Sequence, residues 1–151
     1  MPTPAYYPPV GFHFRVEVLG LPAPNDHDMR FTEVAGLSAE LNTEEVPAGG
    51  ENRFVQKYPT RTRFPELVLK RGLLLDSEIL KWVRECLEDS RITPRNIDVK
   101  LMNEDHQPLL TWHVNKAFPT KWSVSDLNAG NNAVVVETLQ LYYQYFTFEA
   151  S

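Results

Sequence analysis

The chain has 151 residues, of which 42% are hydrophobic and 23% are charged. These values are typical of one ordinary globular domain, and they exclude a disordered, coiled-coil or collagen-like chain. Twenty acidic against fifteen basic residues give a net charge of −5, which disfavours nucleic acid as the main partner because phosphate binding rewards excess Lys and Arg. The single cysteine, Cys86, permits no internal disulfide and fits a reducing compartment.

The N-terminal residues 1–10 are rich in proline and tyrosine. They lack the basic flank and the apolar stretch of a secretory signal, so we expect a flexible segment that precedes the domain. No run of 18 apolar residues occurs in the chain, and we therefore expect no membrane-spanning helix.

The first predicted strand covers residues 11–19, where apolar and polar side chains alternate. Phe12, Phe14, Val16 and Val18 share one side, which is the pattern of a strand with one buried face. A loop is predicted over 21–29, followed by a second extended region over 30–45. The pair Ala35 and Gly36 predicts a bend or bulge within that region, because glycine inside a strand usually marks one.

A long connection is predicted over residues 44–63, because no periodicity holds from Pro47 onward and Gly49, Gly50 and Pro59 interrupt the chain. Loops of this length in a compact domain usually serve a function. Residues 53–72 also carry six basic side chains and one acidic one. This polarity indicates head-to-tail binding between copies of the chain, and the alternatives are a solvated basic loop or nucleic-acid binding by interleaved basic and aromatic residues.

A short strand is predicted over 66–70, and it ends at Gly72. The helix predicted next spans residues 76–88, with Asp76 as its N-cap. The apolar residues at spacings of three and four form its buried stripe, with Trp82 and Cys86 at the flanks; they are Ile79, Leu80, Val83 and Leu87.

Two further strands are predicted over 96–102 and 109–115. The polar residues between them favour a turn, so the two strands form a hairpin. The last segment, 133–148, has apolar or aromatic residues on both faces from Leu139 onward. A single strand of that length would extend about 50 Å, which leaves two interpretations: the strand bends across two packed sheets, or a neighbouring subunit covers part of it.

The residues offer no complete catalytic or metal-binding pattern. His13, His27, His106 and His113 lie in no ligand spacing, and the loop triplet Asp26, His27 and Asp28 is interpreted as solvated. His13 and His113 are expected on the polar sides of their strands, and Cys86 in the core. Nucleophile-elbow, zinc-hydrolase and phosphate-loop motifs are missing from the sequence. We therefore expect neither a metal, nor a cofactor, nor an enzymatic activity.

Several stretches, in order and spacing, resemble the tail tube proteins of contractile phage tails and of phage-tail-like injection particles. The matching stretches are residues 11–16 (GFHFRV), 31–37 (FTEVAGL), 64–72 (FPELVLKRG), 112–122 (WHVNKAFPTKW), 125–129 (SDLNA) and 136–139 (VETL). The resemblance covers residues 11–148. It departs from the family pattern at Tyr58, Pro59 and Thr60, and in the unusually aromatic C-terminal strand.

The resemblance implies a mainly β fold of two packed antiparallel sheets, sandwich-like or barrel-like, with one flanking helix. It further implies one domain over residues 1–151 that assembles into hexameric rings forming a β-barrel, stacked into a hollow tube. By the same resemblance, the predicted loop 44–63 reaches an adjacent subunit. The candidate interface residues are Gly49, Gly50, Asn52, Arg53, Lys57, Arg61, Arg63, Tyr143 and Tyr145.

The expected function is that of a structural subunit in the inner tube of a contractile tail or injection particle, driven through a target envelope when a sheath contracts. Expected partners are further copies of the chain, the sheath protein, baseplate or hub proteins, other tube-like proteins and cargo in the lumen. Assembly in the bacterial cytoplasm is expected, without nucleic-acid specificity or membrane insertion. The alternative is a monomeric β-sandwich that binds a ligand such as a sugar or a peptide.

Overall fold

A computed structural model of the chain describes residues 12–22, 26–46, 50, 56–130 and 134–150. The strands, in chain order, are β1 (His13–Val18), β2 (Arg30–Phe31), β3 (Glu33–Ala35), β4 (Glu40–Val46), β5 (Gln56–Arg63), β6 (Leu67–Gly72), β7 (Arg95–Met102), β8 (Pro108–Val124), β9 (Val136–Tyr142) and β10 (Tyr145–Ala150). A short 3-10 helix spans Asp26–Met29, and the helix α1 spans Glu78–Leu87. Within these described ranges, no helix has the length and apolar character needed to cross a membrane.

Two antiparallel sheets share the long strand β8. The first half of β8 pairs with β7 and β10, and β7 continues to β1 and β2; we call this group sheet A. The second half pairs with β9, which continues to β6 and β3; we call this group sheet B. Among the described residues, the hairpin β4–β5 pairs with neither sheet.

A bulge near Lys116 lets β8 pass from one sheet to the other. The backbone φ of Lys116 is 54°, and the pairing register with β7 shifts between Arg95 and Ile97, opposite this site. The side-chain oxygen of Asn96 accepts the Lys116 N–H at 3.0 Å. Strands that change sheets commonly bend at such bulges, so this residue marks the corner of the fold.

The core lies between the two sheets and α1. Sheet A contributes Val16, Val99 and Val114, while sheet B contributes Leu67 and Leu141, and all five side chains are at most 1% exposed. Every second position is buried along β6 and β9, and over the first part of β7, because alternate side chains of a strand point to the same face. The predicted fold class is confirmed, and so are the first strand and the hairpin of β7 and β8, although β8 continues to Val124, well past the predicted end at residue 115.

Helix α1 begins later and turns a different face inward than the sequence predicts. The N-cap is Ser77, whose hydroxyl accepts the Leu80 N–H at 3.0 Å, so the assignment of Asp76 is wrong. The buried residues are Ile79, Trp82, Val83 and Cys86. Leu87 is 44% exposed, because the large Trp82 side chain shifts the centre of the buried face of the helix. The Trp82 indole N–H donates to the Thr93 carbonyl at 2.9 Å.

The C-terminal segment is bent and not one continuous strand. β9 joins sheet B and β10 joins sheet A, with the break at Tyr143 and Gln144. At the break, the Gln144 N–H donates to the Asn115 carbonyl at 3.0 Å, beside the bulge of β8. The interpretation of a strand bent across two packed sheets is therefore confirmed.

The prediction of a loop over residues 44–63 is wrong where the structure describes this region. Its ends are the paired strands β4 and β5, with a bulge between Leu41 and Thr43. Neither strand has a buried residue. Alternation between apolar and polar residues develops only where one face of a strand is buried, which explains why the sequence shows no strand pattern here.

Candidate assembly surface

The β4–β5 hairpin presents both of its faces to solvent. All fifteen positions of the two strands are exposed, and three of them are large apolar residues: Leu41 at 55%, Val46 at 40% and Tyr58 at 50% exposure. An isolated two-stranded hairpin is marginally stable in water. This hairpin therefore lacks the packing that the rest of the chain supplies to the other strands.

The two strands of the hairpin carry opposite charge. The acids Glu40, Glu44 and Glu45 lie on β4, whereas Lys57, Arg61 and Arg63 lie on β5. The pairing places Glu40 opposite Arg63 and Glu45 opposite Lys57, which favours the hairpin, because opposite charges across two strands attract. The hairpin is thus acidic along β4 and basic along β5.

Some of the candidate interface residues are exposed in the structure, and others lie outside the residues that it describes. Lys57, Arg61 and Arg63 are exposed on β5. Gly50 is also exposed, with φ of 77°, and a Cβ added there would meet no atom within 4 Å. Gly49, Asn52 and Arg53 lie outside the described residues, as do residues 1–10.

The two candidate tyrosines lie in opposite environments. Tyr145 is 46% exposed and remains a candidate, but Tyr143 is only 4% exposed. Its hydroxyl donates to the Gly36 carbonyl at 3.2 Å, and burial raises the pKa of Tyr143 to about 12. The assignment of Tyr143 to an interface is therefore corrected: the bend between β9 and β10 turns its side chain into the subunit's own core.

Exposed aromatic residues also line the C-terminal strands. Tyr142 is 47% exposed and Phe148 is 65% exposed. The Tyr142 ring lies 5.1 Å from that of Phe118 across the β8–β9 pair. Among the described residues, β10 pairs with β8 alone, so its other edge offers backbone groups for pairing with a further strand.

A buried polar network, which was not predicted from the sequence, lies at the start of α1. Asp28, interpreted as solvated, is 1% exposed, and Arg71 is 4% exposed. The Arg71 guanidinium donates to the Asp28 carbonyl at 2.6 Å and side chain at 3.1 Å, and to Glu137 at 2.5 Å. We call Asp28, Arg71, Ser77 and Glu137 the buried network.

The buried network supplies hydrogen-bond acceptors, from outside the helix, to the N–H groups at the N-terminus of α1. The second carboxylate oxygen of Asp28 accepts the N–H groups of Glu78 at 2.8 Å and Ile79 at 3.2 Å, which α1 itself leaves without acceptors. Arg71 also lies over the Phe31 ring at 4.5 Å. Ser77 donates to Asp28 at 2.5 Å. These contacts tie the 3-10 helix, β6, β9 and α1 together, so the network has a structural role.

Three of the four histidines make side-chain contacts at two separate places on or beside sheet A, while His27 lies in the 3-10 helix. His13 and His106 face each other, with 3.2 Å between Nε2 and Nδ1; burial, and then the neighbouring His106 and Arg30, lower the pKa of His13. His113 instead contacts two carboxylates. Among the described residues, no group of three or more His, Cys, Asp or Glu side chains is arranged to hold a metal ion.

Comparisons with known proteins define the class: a tube-forming β domain of contractile particles. The sequence matches the family described as T4-like virus tail tube protein gp19 over residues 10–147. The chain belongs to this family, and its function is that of a structural tube subunit in a phage tail or a phage-tail-like injection particle. No curated protein matches the sequence at a significant level.

Solved structures of such particles are similar over nearly the whole chain. A chain in the cryo-EM structure of the anti-feeding prophage baseplate, 6-fold symmetrised, is 30% identical with a TM-score of 0.80, over 99% of this chain and 98% of that one. A chain of the PVC extracellular contractile injection system, from its sheath-tube complex in the extended state, is 24% identical with a TM-score of 0.77, over 97% and 95% of the two chains.

More distant structures share the fold alone. Hcp1 from Flavobacterium johnsoniae is 14% identical with a TM-score of 0.53, over 92% of this chain and 96% of that one. These comparisons support a tube subunit and give no support to the monomeric ligand-binding alternative.

Proposed function

We propose that the subunit assembles into hexameric rings that stack into a rigid hollow tube, and that the β4–β5 hairpin joins neighbouring subunits. The observation that carries this proposal is the complete exposure of the hairpin. The similar chains of known structure come from a 6-fold symmetrised baseplate and a sheath-tube complex, and these origins support the sixfold ring.

The hairpin has the properties of a strand pair completed by a neighbour. Its exposed Leu41, Val46 and Tyr58 would gain burial at an interface. Its acidic and basic strands favour a head-to-tail contact between identical copies, because such a contact joins opposite charges and can close into a ring. The interface residues proposed within the described chain are Gly50, Lys57, Arg61, Arg63 and Tyr145.

In the assembled particle the tube would be surrounded by a sheath, and sheath contraction would drive it through a target envelope. Baseplate or hub proteins and other tube-like proteins would bind its ends, and the lumen would carry cargo. Stiffness would come from strand pairing around each ring, because bending must disrupt many backbone hydrogen bonds together. The subunit would assemble in the bacterial cytoplasm and would act without enzymatic chemistry.

The test is charge reversal on β5, with Lys57→Glu, Arg61→Glu and Arg63→Glu combined. We expect the unmodified chain to form rings and tubes with sixfold class averages in negative-stain electron microscopy. The triple variant should remain unassembled in sedimentation because its hairpin becomes uniformly acidic.

The matched control reverses two exposed charges on α1, Lys81→Glu and Arg84→Glu, and should assemble normally. Circular dichroism should show both variants folded. An unmodified chain that stays monomeric at high concentration, or a β5 variant that forms tubes of normal length, would contradict the proposal. Rings of another symmetry would refute the hexamer alone.

A further inference from the structure

His113 bridges two strands of sheet A through carboxylates on both sides of its ring. Its Nδ1 lies 2.8 Å from Asp98 Oδ1 on β7, and its Nε2 lies 3.0 Å from Glu149 Oε1 on β10. His113 itself lies on β8, between these two strands. The ring therefore connects the last strand of the chain to the middle of the sheet.

The two contacts together require the charged form of the imidazole. A neutral imidazole has one N–H donor, whereas an ionised carboxylate only accepts hydrogen bonds. Both ring nitrogens can donate only when the ring is protonated. Loss of that proton leaves one of the two carboxylates facing a nitrogen lone pair.

The charged groups around the ring favour the protonated state. The carboxylates of Asp98 and Glu149 contact it directly, and the hydrogen bond to Glu149, followed by that to Asp98, raises the pKa of His113. Lys100, two residues after Asp98 on β7, forms an ion pair with Glu17 of β1 at 3.3 Å. By the register of the strands, the positions around His113 on this face of the sheet are Asp98, Lys100, Thr111, Asn115, Tyr145, Thr147 and Glu149.

Strand β10 has few other attachments at its far end. Within the part of the chain that the structure describes, it pairs with β8 only. Phe146, near its start, is 8% exposed and anchored in the core, but Phe148 is 65% exposed. The Glu149 contact thus lies at the end of β10 that has no buried apolar side chain. Removing the contact should first lower the protection of this end against local unfolding.

We propose that His113 is a proton-dependent clasp that holds the C-terminal end of β10 on sheet A. The folded pKa of this histidine lies above its unfolded value of about 6.5. The stabilisation is therefore fully present below that value and is lost as the pH rises through the folded pKa. The clasp is a property of the subunit and does not depend on tube assembly.

The test combines two mass-spectrometric measurements on the full chain. Exchange of the histidine C2 hydrogen against pH gives the pKa of His113, which we expect above about 6.5 and lower in the Glu149→Gln variant. Amide exchange of the β10 peptide, corrected for the intrinsic pH dependence, should show protection that falls about two- to fivefold as the pH rises past that pKa, as for a partly exposed ion pair. In Glu149→Gln and His113→Gln this pH dependence should vanish.

The control is His13→Gln, which removes a histidine from the same face without touching β10 and should preserve the pH dependence. A His113 pKa at or below the unfolded value would overturn the proposal. The same conclusion would follow if the β10 peptide kept its pH-dependent protection in Glu149→Gln. The unassembled β5 variant gives the same readout on the isolated subunit, so failure of the clasp and failure of tube assembly remain distinguishable.

Discussion

The buried network and the β4–β5 hairpin hold charged residues in opposite ways. In the network, Arg71 and Asp28 are nearly inaccessible, and each makes several hydrogen bonds inside the subunit. In the hairpin, the charged side chains are exposed, and no ion pair forms among those that the structure describes on its two strands. The comparison separates charge that builds the subunit from charge that is available to another copy.

The largest effect expected from this comparison is the loss of Arg71. Arg71→Met should lower the free energy of unfolding by about 3–5 kcal/mol, because it leaves the carboxylates of Asp28 and Glu137 buried without their cation. Urea denaturation followed by circular dichroism measures the loss. Lys70→Met is the matched control, since Lys70 is the neighbouring residue on β6 with a side chain 43% exposed. Equal losses in the two variants would show that the network contributes no more than a surface charge.

A smaller effect is expected at Gly36, where the chain leaves sheet B for the hairpin. Its φ is 93°, and an added Cβ would collide with the backbone carbonyl of Glu66. Gly36→Ala should therefore cost about 2 kcal/mol or more, since backbone strain and a clash add together. Gly50→Ala has open space around it and should cost only about 1 kcal/mol for its left-handed conformation. Thermal unfolding of both variants checks the difference, and a Gly50 loss equal to the Gly36 loss would contradict it.

The smallest effect on subunit stability is expected within the hairpin. Tyr58→Ser should change the free energy of unfolding by less than about 0.5 kcal/mol, because the side chain is half exposed and its hydroxyl donates to the exposed Gln56 side chain at 2.7 Å. The yield of sedimentable tubes should nevertheless fall. A core truncation, Leu67→Ala, serves as the contrast and should cost about 2–5 kcal/mol. If Tyr58→Ser lowered the free energy of unfolding as much as Leu67→Ala does, the hairpin would contribute to the stability of the subunit, contrary to this prediction.

The sequence predicts strands best where apolar and polar residues alternate. β1 and β7 show this period-two pattern, so their positions could be inferred directly. The second half of β8 and the point at which the last segment divides into β9 and β10 were not predicted. The hairpin strands escape inference from this pattern because residues exposed on both faces need not alternate. The family resemblance predicts an interface in this region, although it gives no indication of its strands.

The buried network could not be predicted, for a different reason. Asp28, Arg71, Ser77 and Glu137 are distant in sequence and belong to four different elements or their caps. Polar residues carry no periodic signal of burial, and the Asp26–His27–Asp28 triplet has the composition of an ordinary loop. Only the fold brings Asp28 beneath α1. Tyr143 shows the same limit, since one bend after β9 decides whether its ring faces the core or a neighbour.

Sharing one strand makes the two sheets a single mechanical element. β8 is a central strand of sheet A and an edge strand of sheet B. Neither sheet can therefore unfold without breaking backbone hydrogen bonds of the other. A load applied at one end of β8 is transmitted past the Lys116 corner as shear along both ladders, and a half-folded state would leave part of this strand unsatisfied. We therefore expect unfolding under force to occur in one step, with no plateau in which only one sheet survives.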